Sequence, residues 1–400
     1  MPESQPSTIP AATFTRTLLG IVAVAVVVRV LWLIFVPTQP VTDFDWYFER
    51  AWEWRTTGQY AVEGVPTAYW PVGYPAFLAL LFWLLPATVT VAQVVNVALV
   101  AVAIFSAGQL AFRWSGRERV AYLVAGLLAI HPAWIGYSGI LASEPLYVAL
   151  TLAGLAAWGT PRAGALLGLA VLVRPQALLV PVWAWLTERN RVTRPVWLLA
   201  GLVLLPATVW TARNAVVLGS PAFVSTNGGD NLLISAMGKG RFTPPQPLLP
   251  QVPPVPEPQR DRSARQTAVG VIKRDPGAWL AKIPAKLYET FLNGRDAPYW
   301  AFQFEKGKLG DPGRTAYRSG FLIYRQVCDV APYVLLGLAA LGLVWGRGEK
   351  KSAAIQILWI AALSVVFFGN PRFGFPAIPF LSYFAALALD RLIGVASRDQ

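Results

Sequence analysis

The residues best placed for chemistry are acids and arginines at the edges of long apolar runs. Asp43 opens the segment Thr42-Asp43-Phe44-Asp45-Trp46-Tyr47-Phe48-Glu49. Phe44, Tyr47, Phe48, Ala51 and Trp52 recur at helical spacing, with Asp45, Glu49 and Glu53 on the opposite stripe. That pattern predicts an amphipathic helix lying along a membrane surface. Two readings of its acids follow. In one, Thr42 or Asp43 caps the helix and the acidic stripe is solvated. In the other, Asp43, which precedes the wet face, is a carboxylate general base acting on a hydroxyl. Glu144, in Ala142-Ser143-Glu144-Pro145, has the same pair of readings. It either complements a helix start next to a first-turn proline, or is a second carboxylate facing the same cavity. Arg174 interrupts an apolar stretch at Leu172-Val173-Arg174-Pro175-Gln176, where it either snorkels to the interface or meets a partner in a cavity. With Arg213 and Arg372, also at ends of apolar runs, it could supply cations for a phosphate leaving group.

Between these positions lies Pro66-Thr67-Ala68-Tyr69-Trp70-Pro71-Val72-Gly73-Tyr74-Pro75. Prolines and glycines interleaved with aromatics make a rigid, irregular surface, either an ordinary interfacial turn or a cradle in which Tyr69 and Tyr74 contact substrate. His131 is the only histidine, and no residues have metal-ligand spacing. Neither a phosphate-binding glycine loop nor a serine-hydrolase elbow is present, so a soluble nucleotide-sugar domain is not indicated. The single cysteine, Cys328, excludes an internal disulfide.

The elements that must position these groups are membrane helices. Of 400 residues, 55% are apolar and 14% charged, with a mean hydropathy of +0.47. Runs near the roughly 20 residues a bilayer demands occur at 18–37, 89–112, 195–216 and 353–368, and lipid forces them into helices. Further spans are expected at 120–132, 140–159, 163–173, 175–186, 327–345 and 375–392, giving about ten crossings in an all-α polytopic bundle of about 10–12 transmembrane helices. Residues 74–85 make half a span and are expected as a short embedded or interfacial helix. Basic loops at 113–119, 188–194 and 347–351, with Arg391 and Arg398, are expected on the cytoplasmic side. The chain then reads as one integral membrane domain, 1–400, with outer loops at 38–73 and 213–326. The second loop carries a proline-rich tract, 243–258, that should be neither regular helix nor central strand. The formal charge of +13 is spread between loops without an aromatic-basic motif, so anionic lipid rather than nucleic acid is the expected partner.

In this order the segments resemble the GT-C superfamily of polyprenyl-phosphate-sugar-dependent glycosyltransferases. The likeness is greatest to bacterial relatives of protein O-mannosyltransferases and lipid A aminoarabinose transferases. It rests on Asp43-Phe44-Asp45-Trp46-Tyr47, Pro71-Val72-Gly73-Tyr74-Pro75, Ser143-Glu144-Pro145-Leu146-Tyr147, Val173-Arg174-Pro175, Arg213-Asn214, Ser225-Thr226-Asn227-Gly228-Gly229 and Pro371-Arg372-Phe373-Gly374. The resemblance implies Asp43 as catalytic base, with Asp45 or Glu144 in support. Arg174, Arg213 and Arg372 would meet the donor phosphate, and Tyr69, Tyr74 and Asn227 would form the cradle. Relatives often carry an Asp-Glu pair where this chain has Asp43-Phe44-Asp45. The implied partners are a polyprenyl-phosphate-linked sugar and a glycan, lipid or protein acceptor, at the outer face of a bacterial cytoplasmic (inner) membrane. Some relatives use a divalent metal, and no residue set here identifies one. A transporter or flippase of a lipid-linked sugar would also want cations in a membrane cavity, but no internal repeat accompanies them. A noncatalytic membrane subunit would need neither aspartate.

Overall fold

The computed structural model describes residues 11–192, 195–242, 256–302 and 315–396. Arg194, Arg398 and all of the proline-rich tract except 256–258 lie outside the described residues. Five helices among those described are long and apolar enough to cross a membrane: Ala12–Phe35, Val89–Ser115, Val196–Val217, Ser319–Trp345 and Pro371–Val395. Of the remaining expected spans, 175–186 is a 3-10 turn, Pro175–Leu179, followed by the short helix Val180–Glu188, and the others are helical but shorter, at Glu118–Ile130, Ser143–Ala156, Pro161–Val173 and Lys351–Val366. At 1.5 Å per residue these reach only about 20–24 Å. The helices pack around one core that includes Leu78, Ile104, Leu128, Trp134 and Leu387. Val24, Val27, Ile34 and Phe35 of the first helix are exposed, the outer face expected of a helix that meets lipid.

Arg29, in the C-terminal part of that first helix, is 0% exposed. Its Nη1 donates to the carbonyls of Ala25 (2.9 Å) and Ala129 (3.0 Å), and its Nη2 to that of Leu128 (3.0 Å). Leu128 and Ala129 end the Glu118–Ile130 helix, where Pro132 has no N–H to offer the Leu128 carbonyl. The buried charge thus closes a helix end.

Basic loops gather at one end of the bundle. Arg113 donates to the last carbonyls of the Ser143–Ala156 helix, Leu155 (2.8 Å) and Ala156 (3.1 Å), and pairs with Glu188 at 3.2 Å. Arg117 pairs with Asp390 and donates to the Arg347 carbonyl at 2.7 Å. The opposite end holds Asp43, Glu144 and Arg372.

Two structured segments cover that opposite end. The first begins with the helix Asp43–Thr57, ended by Gly58 at φ 73. Phe44, Tyr47 and Ala51 are buried as expected, whereas Trp52 is 51% exposed and Arg50 takes the inner position. Arg50 is neutralised by Glu49 at 3.4 Å and Glu53 at 3.3 Å, so the acidic stripe is not simply solvated. A small antiparallel hairpin, Ala61–Val62 with Val65–Pro66, follows. It turns through Glu63 and Gly64 at φ 52 and 79, the positive values that a two-residue hairpin requires. Next comes Gly73–Leu84, whose 12 residues are too few to cross.

The second segment is more helical than its composition suggests. Val196–Val217 runs past Arg213, and the helix that enters the next span starts at Thr315. Between them lie helices including Gly228–Met237, Glu257–Arg274, Ile283–Phe291 and Asp296–Phe302. Pro258 sits in the first turn of Glu257–Arg274, the one place where a helix tolerates it. The two segments are stapled by Glu257, which accepts from Thr67 Oγ1 (2.5 Å), the Ala68 N–H (2.9 Å) and Thr226 Oγ1 (3.2 Å).

Candidate active site

Four charged side chains from four distant parts of the chain meet at the covered end. Arg372 is central. Its Nε donates to Glu144 Oε1 at 2.5 Å, its Nη2 to Glu144 Oε2 at 3.4 Å, and its Nη1 to Asp43 Oδ2. Arg174 donates from Nη2 to Glu144 Oε1 at 2.5 Å and from Nε to Ser143 Oγ at 3.3 Å. The resulting order is Asp43, Arg372, Glu144, Arg174, so opposite charges alternate and two guanidiniums share one buried carboxylate.

Local sequence explains why each group projects here. Pro145 and Glu144 lie in the first turn of Ser143–Ala156, where an acid suits the helix dipole. Arg174 follows the last residue of Pro161–Val173, and Pro175 stops that helix from continuing. Arg372 sits in the short turn Pro371–Gly374, where the Asn370 side chain accepts the Arg372 N–H at 2.9 Å. Gly374 lets the turn lie against Ile283–Phe291, because a Cβ there would overlap the Thr290 carbonyl oxygen. Thr42 precedes Asp43 with φ 55 and ψ −125, a costly conformation for a β-branched residue. Its Oγ1 donates to Asp43 Oδ1 at 3.0 Å. Burial by itself would raise the Asp43 carboxyl, but the Arg372 charge and the hydrogen bonds from Arg372 and Thr42 hold it below the usual carboxylate range.

Asp43, Arg174 and Arg372 line a cavity of about 2060 Å³ whose aromatic wall includes Trp46, Tyr47 and Trp70. Of the other residues expected in the site, Tyr69 and Asn227 also line it. The Tyr69 hydroxyl donates to Asp230 at 2.8 Å, and Asn227 accepts from Ser225 Oγ at 2.9 Å. Tyr74 is elsewhere. It is fully buried, 5.4 Å from the Tyr47 ring in an edge-to-face pair, and supports the wall from behind. Asp45 is half-buried on the Asp43–Thr57 helix and does not line the cavity. Arg213 is not brought to the cluster either. It donates to the carbonyls of Thr67 (2.9 Å) and Tyr60 (3.0 Å) and stacks over Trp210 at 4.7 Å. Its place is that of a staple for the first outer segment, in contrast to the expected phosphate contact.

One nearby acid escaped the sequence reading. Asp296 lines the same cavity and accepts from the Tyr137 hydroxyl at 2.5 Å and Trp300 Nε1 at 3.0 Å. Burial raises its carboxyl above the ordinary value, only partly offset by those hydrogen bonds and by Arg372. Its context, Arg295-Asp296-Ala297-Pro298-Tyr299-Trp300, has the acid-plus-aromatic character of the Asp43 segment, and that was the available signal. Among the described residues no three His, Cys, Asp or Glu side chains are grouped to hold a metal ion. Guanidiniums already neutralise Asp43 and Glu144, so this donor set does not fit a divalent cation.

Fold and site together define an all-α, polytopic membrane protein with an acid–arginine cluster in a large cavity at one end of its bundle. The chain is similar in structure to ArnT from Cupriavidus metallidurans, seen in a crystal structure bound to undecaprenyl phosphate. The likeness covers 95% of this chain and 79% of that one, at 16% sequence identity and a TM-score of 0.43. No family model and no curated protein matches the chain.

Proposed function

We propose that the protein is a GT-C-type membrane glycosyltransferase that moves a sugar from a polyprenyl-phosphate carrier to an acceptor hydroxyl on the extracytoplasmic face. The observation that carries this reading is Asp43, which lines the large cavity while sharing Arg372 with the buried Glu144. The reaction is a single inverting displacement. The acceptor oxygen forms its bond to the anomeric carbon, the bond from that carbon to the phosphate oxygen breaks, and the hydroxyl proton passes to Asp43. Because Asp43 is held ionised, it is available across the neutral range. It takes the proton late, once bond formation has made the hydroxyl acidic. Arg372 and Arg174 stabilise the phosphate as it departs, in a site where burial strengthens their effect. Within the cluster two carboxylates and two guanidiniums balance in charge, so Arg372 and Arg174 act on the anionic donor through directed hydrogen bonds. Arg174 faces the cavity, and its Nη1 is not used in the contacts to Ser143 and Glu144.

The test is polyprenyl phosphate release by purified protein, supplied with a panel of polyprenyl-phosphate sugars and with membrane extract as acceptor source. One donor should support release, and Asp43→Asn should slow it about 100- to 10,000-fold with the protein still folded. Near-normal turnover in that variant would remove Asp43 as base. Binding of donors without any release would favour a flippase of the same lipid.

A further inference from the structure

A further carboxylate is built into the cavity wall, and the displacement just described leaves it unused. Asp230, in the first turn of Gly228–Met237, is 2% exposed and lines the cavity. Its Oδ2 accepts from the Tyr69 hydroxyl and from Arg260 Nη2, both at 2.8 Å, while its Oδ1 is buried with no hydrogen-bond partner. Buried polar atoms are nearly always matched, because leaving one bare forfeits its hydration for nothing. Asp230 itself lines the large cavity, so this orphaned carboxylate points to a donor group that a ligand brings once the side chain turns toward it.

The surroundings describe that ligand. Tyr69 packs edge-on to Trp70 with ring centres 5.3 Å apart, and Trp70 packs against Tyr47 at 6.3 Å. All three rings line the cavity. They form a continuous aromatic wall from the helix that carries Asp43 to the Tyr69–Asp230 hydrogen bond. Flat aromatic surface covers the C–H face of a pyranose, and a carboxylate beside it selects for a hydroxyl on the ring edge. Arg260 stacks over Tyr69 at 5.7 Å and pairs with Asp230, so both residues are held at the wall before any ligand arrives.

We propose that Asp230, Tyr69 and Trp70 form a saccharide-binding subsite in which Asp230 Oδ1 accepts a ring hydroxyl. It is separate from the arginines that face phosphate. The subsite deepens the transferase reading and rests on it for its role in turnover, though its binding is measurable without turnover. The ring belongs either to the sugar being transferred or to a sugar of the acceptor.

The experiment is saturation-transfer NMR on the full chain in detergent, with methyl α-mannopyranoside, methyl β-glucopyranoside and methyl β-N-acetylglucosaminide as probes and farnesyl phosphate as the control ligand. At least one glycoside should bind. Asp230→Ala should weaken it about tenfold or more, as expected for loss of a hydrogen bond to a charged group. Asp230→Asn keeps an oxygen for Tyr69 and Arg260 and serves if the alanine variant unfolds. Farnesyl phosphate should bind the Asp230 variants as it binds the wild type, and should bind Arg174→Ala less tightly. Displacement of the glycoside by the farnesyl-phosphate-linked form of the same sugar assigns the subsite to the donor, and simultaneous binding assigns it to the acceptor. Absence of glycoside binding to the folded wild type, or equal binding by the Asp230 variants, overturns the subsite. Asp230-dependent binding in a protein that never releases polyprenyl phosphate keeps the subsite and sinks the transferase. Release without such binding does the reverse.

Discussion

Glu144 is the residue on which the charged cluster depends. Its side chain is 0% exposed and accepts 2.5 Å hydrogen bonds from both Arg174 and Arg372. Removing its charge leaves two guanidiniums facing each other without an anion between them, a defect worth about 3–5 kcal/mol. Glu144→Gln should therefore lower the thermal unfolding midpoint in detergent well below that of Asp43→Asn, whose site is partly open to water. Equal midpoints for the two variants would show that Arg372 does not depend on Glu144. Asp296 carries the opposite expectation. Its folded pKa lies above the unfolded value, so the fold favours the protonated acid. The stability it contributes is fully present below the unfolded carboxyl range and is lost as pH rises through the raised value. Asp296→Asn should thus raise the midpoint relative to wild type by more at pH 7.5 than at pH 4, and a pH-independent difference would contradict this. Asp43, Glu144, Arg174 and Arg372 were legible as candidates because a charge beside an apolar run needs a reason. That Arg372 is the one shared by two acids was not legible, since it depends on where three separate helices end.

Among the elements, two late helices approach most closely where Gly342 meets Phe384. A Cβ at Gly342 would overlap the Phe384 carbonyl oxygen, and backbone cannot step aside as a side chain can. The contact joins Thr315–Trp345 to Ile378–Ala396, the helix that follows the Arg372 turn. Small residues let membrane helices pack backbone to backbone in this way. Gly342→Leu should cost about 3 kcal/mol or more, seen as loss of the monodisperse peak in size-exclusion chromatography. Gly201→Leu, at a helix position with open space around it, should elute as wild type does; equal tolerance at both positions would refute the close crossing. The long helices were readable from apolar run length. The helices within residues 213–326 were not, because Gly228–Met237 and Glu257–Arg274 gain their stability from packing on one another through Leu233, Ala236, Ala264 and Ala268, a contact between segments separated by the proline-rich tract.

For the whole molecule, the distribution of charge sets the expected orientation. Arg113 and Arg117 pair with acids and, with Arg391, cap carbonyls at one end, and the cavity with its arginines opens at the other. With positive-inside orientation, single cysteines in a Cys328→Ser background should respond oppositely to an impermeant maleimide. In right-side-out vesicles Arg262→Cys should be labelled from outside, and Arg347→Cys only after solubilisation. The reversed pattern would put the site on the cytoplasmic side.

By itself the sequence determined that the chain is helical and membrane-bound, because hydrocarbon leaves no other way to satisfy so much apolar backbone. It also determined which charges stood out, because a charge at the edge of an apolar run is costly anywhere. Tertiary structure decided what each charge does. Arg213 and Arg372 are the same residue type at similar edges of apolar runs, yet one meets the carbonyls of Tyr60 and Thr67 and the other meets Asp43 and Glu144. Arg29 closes a helix end for the same kind of reason. Local pattern specifies the cost of burying a charge, and only the approach of distant segments supplies the partner that offsets it.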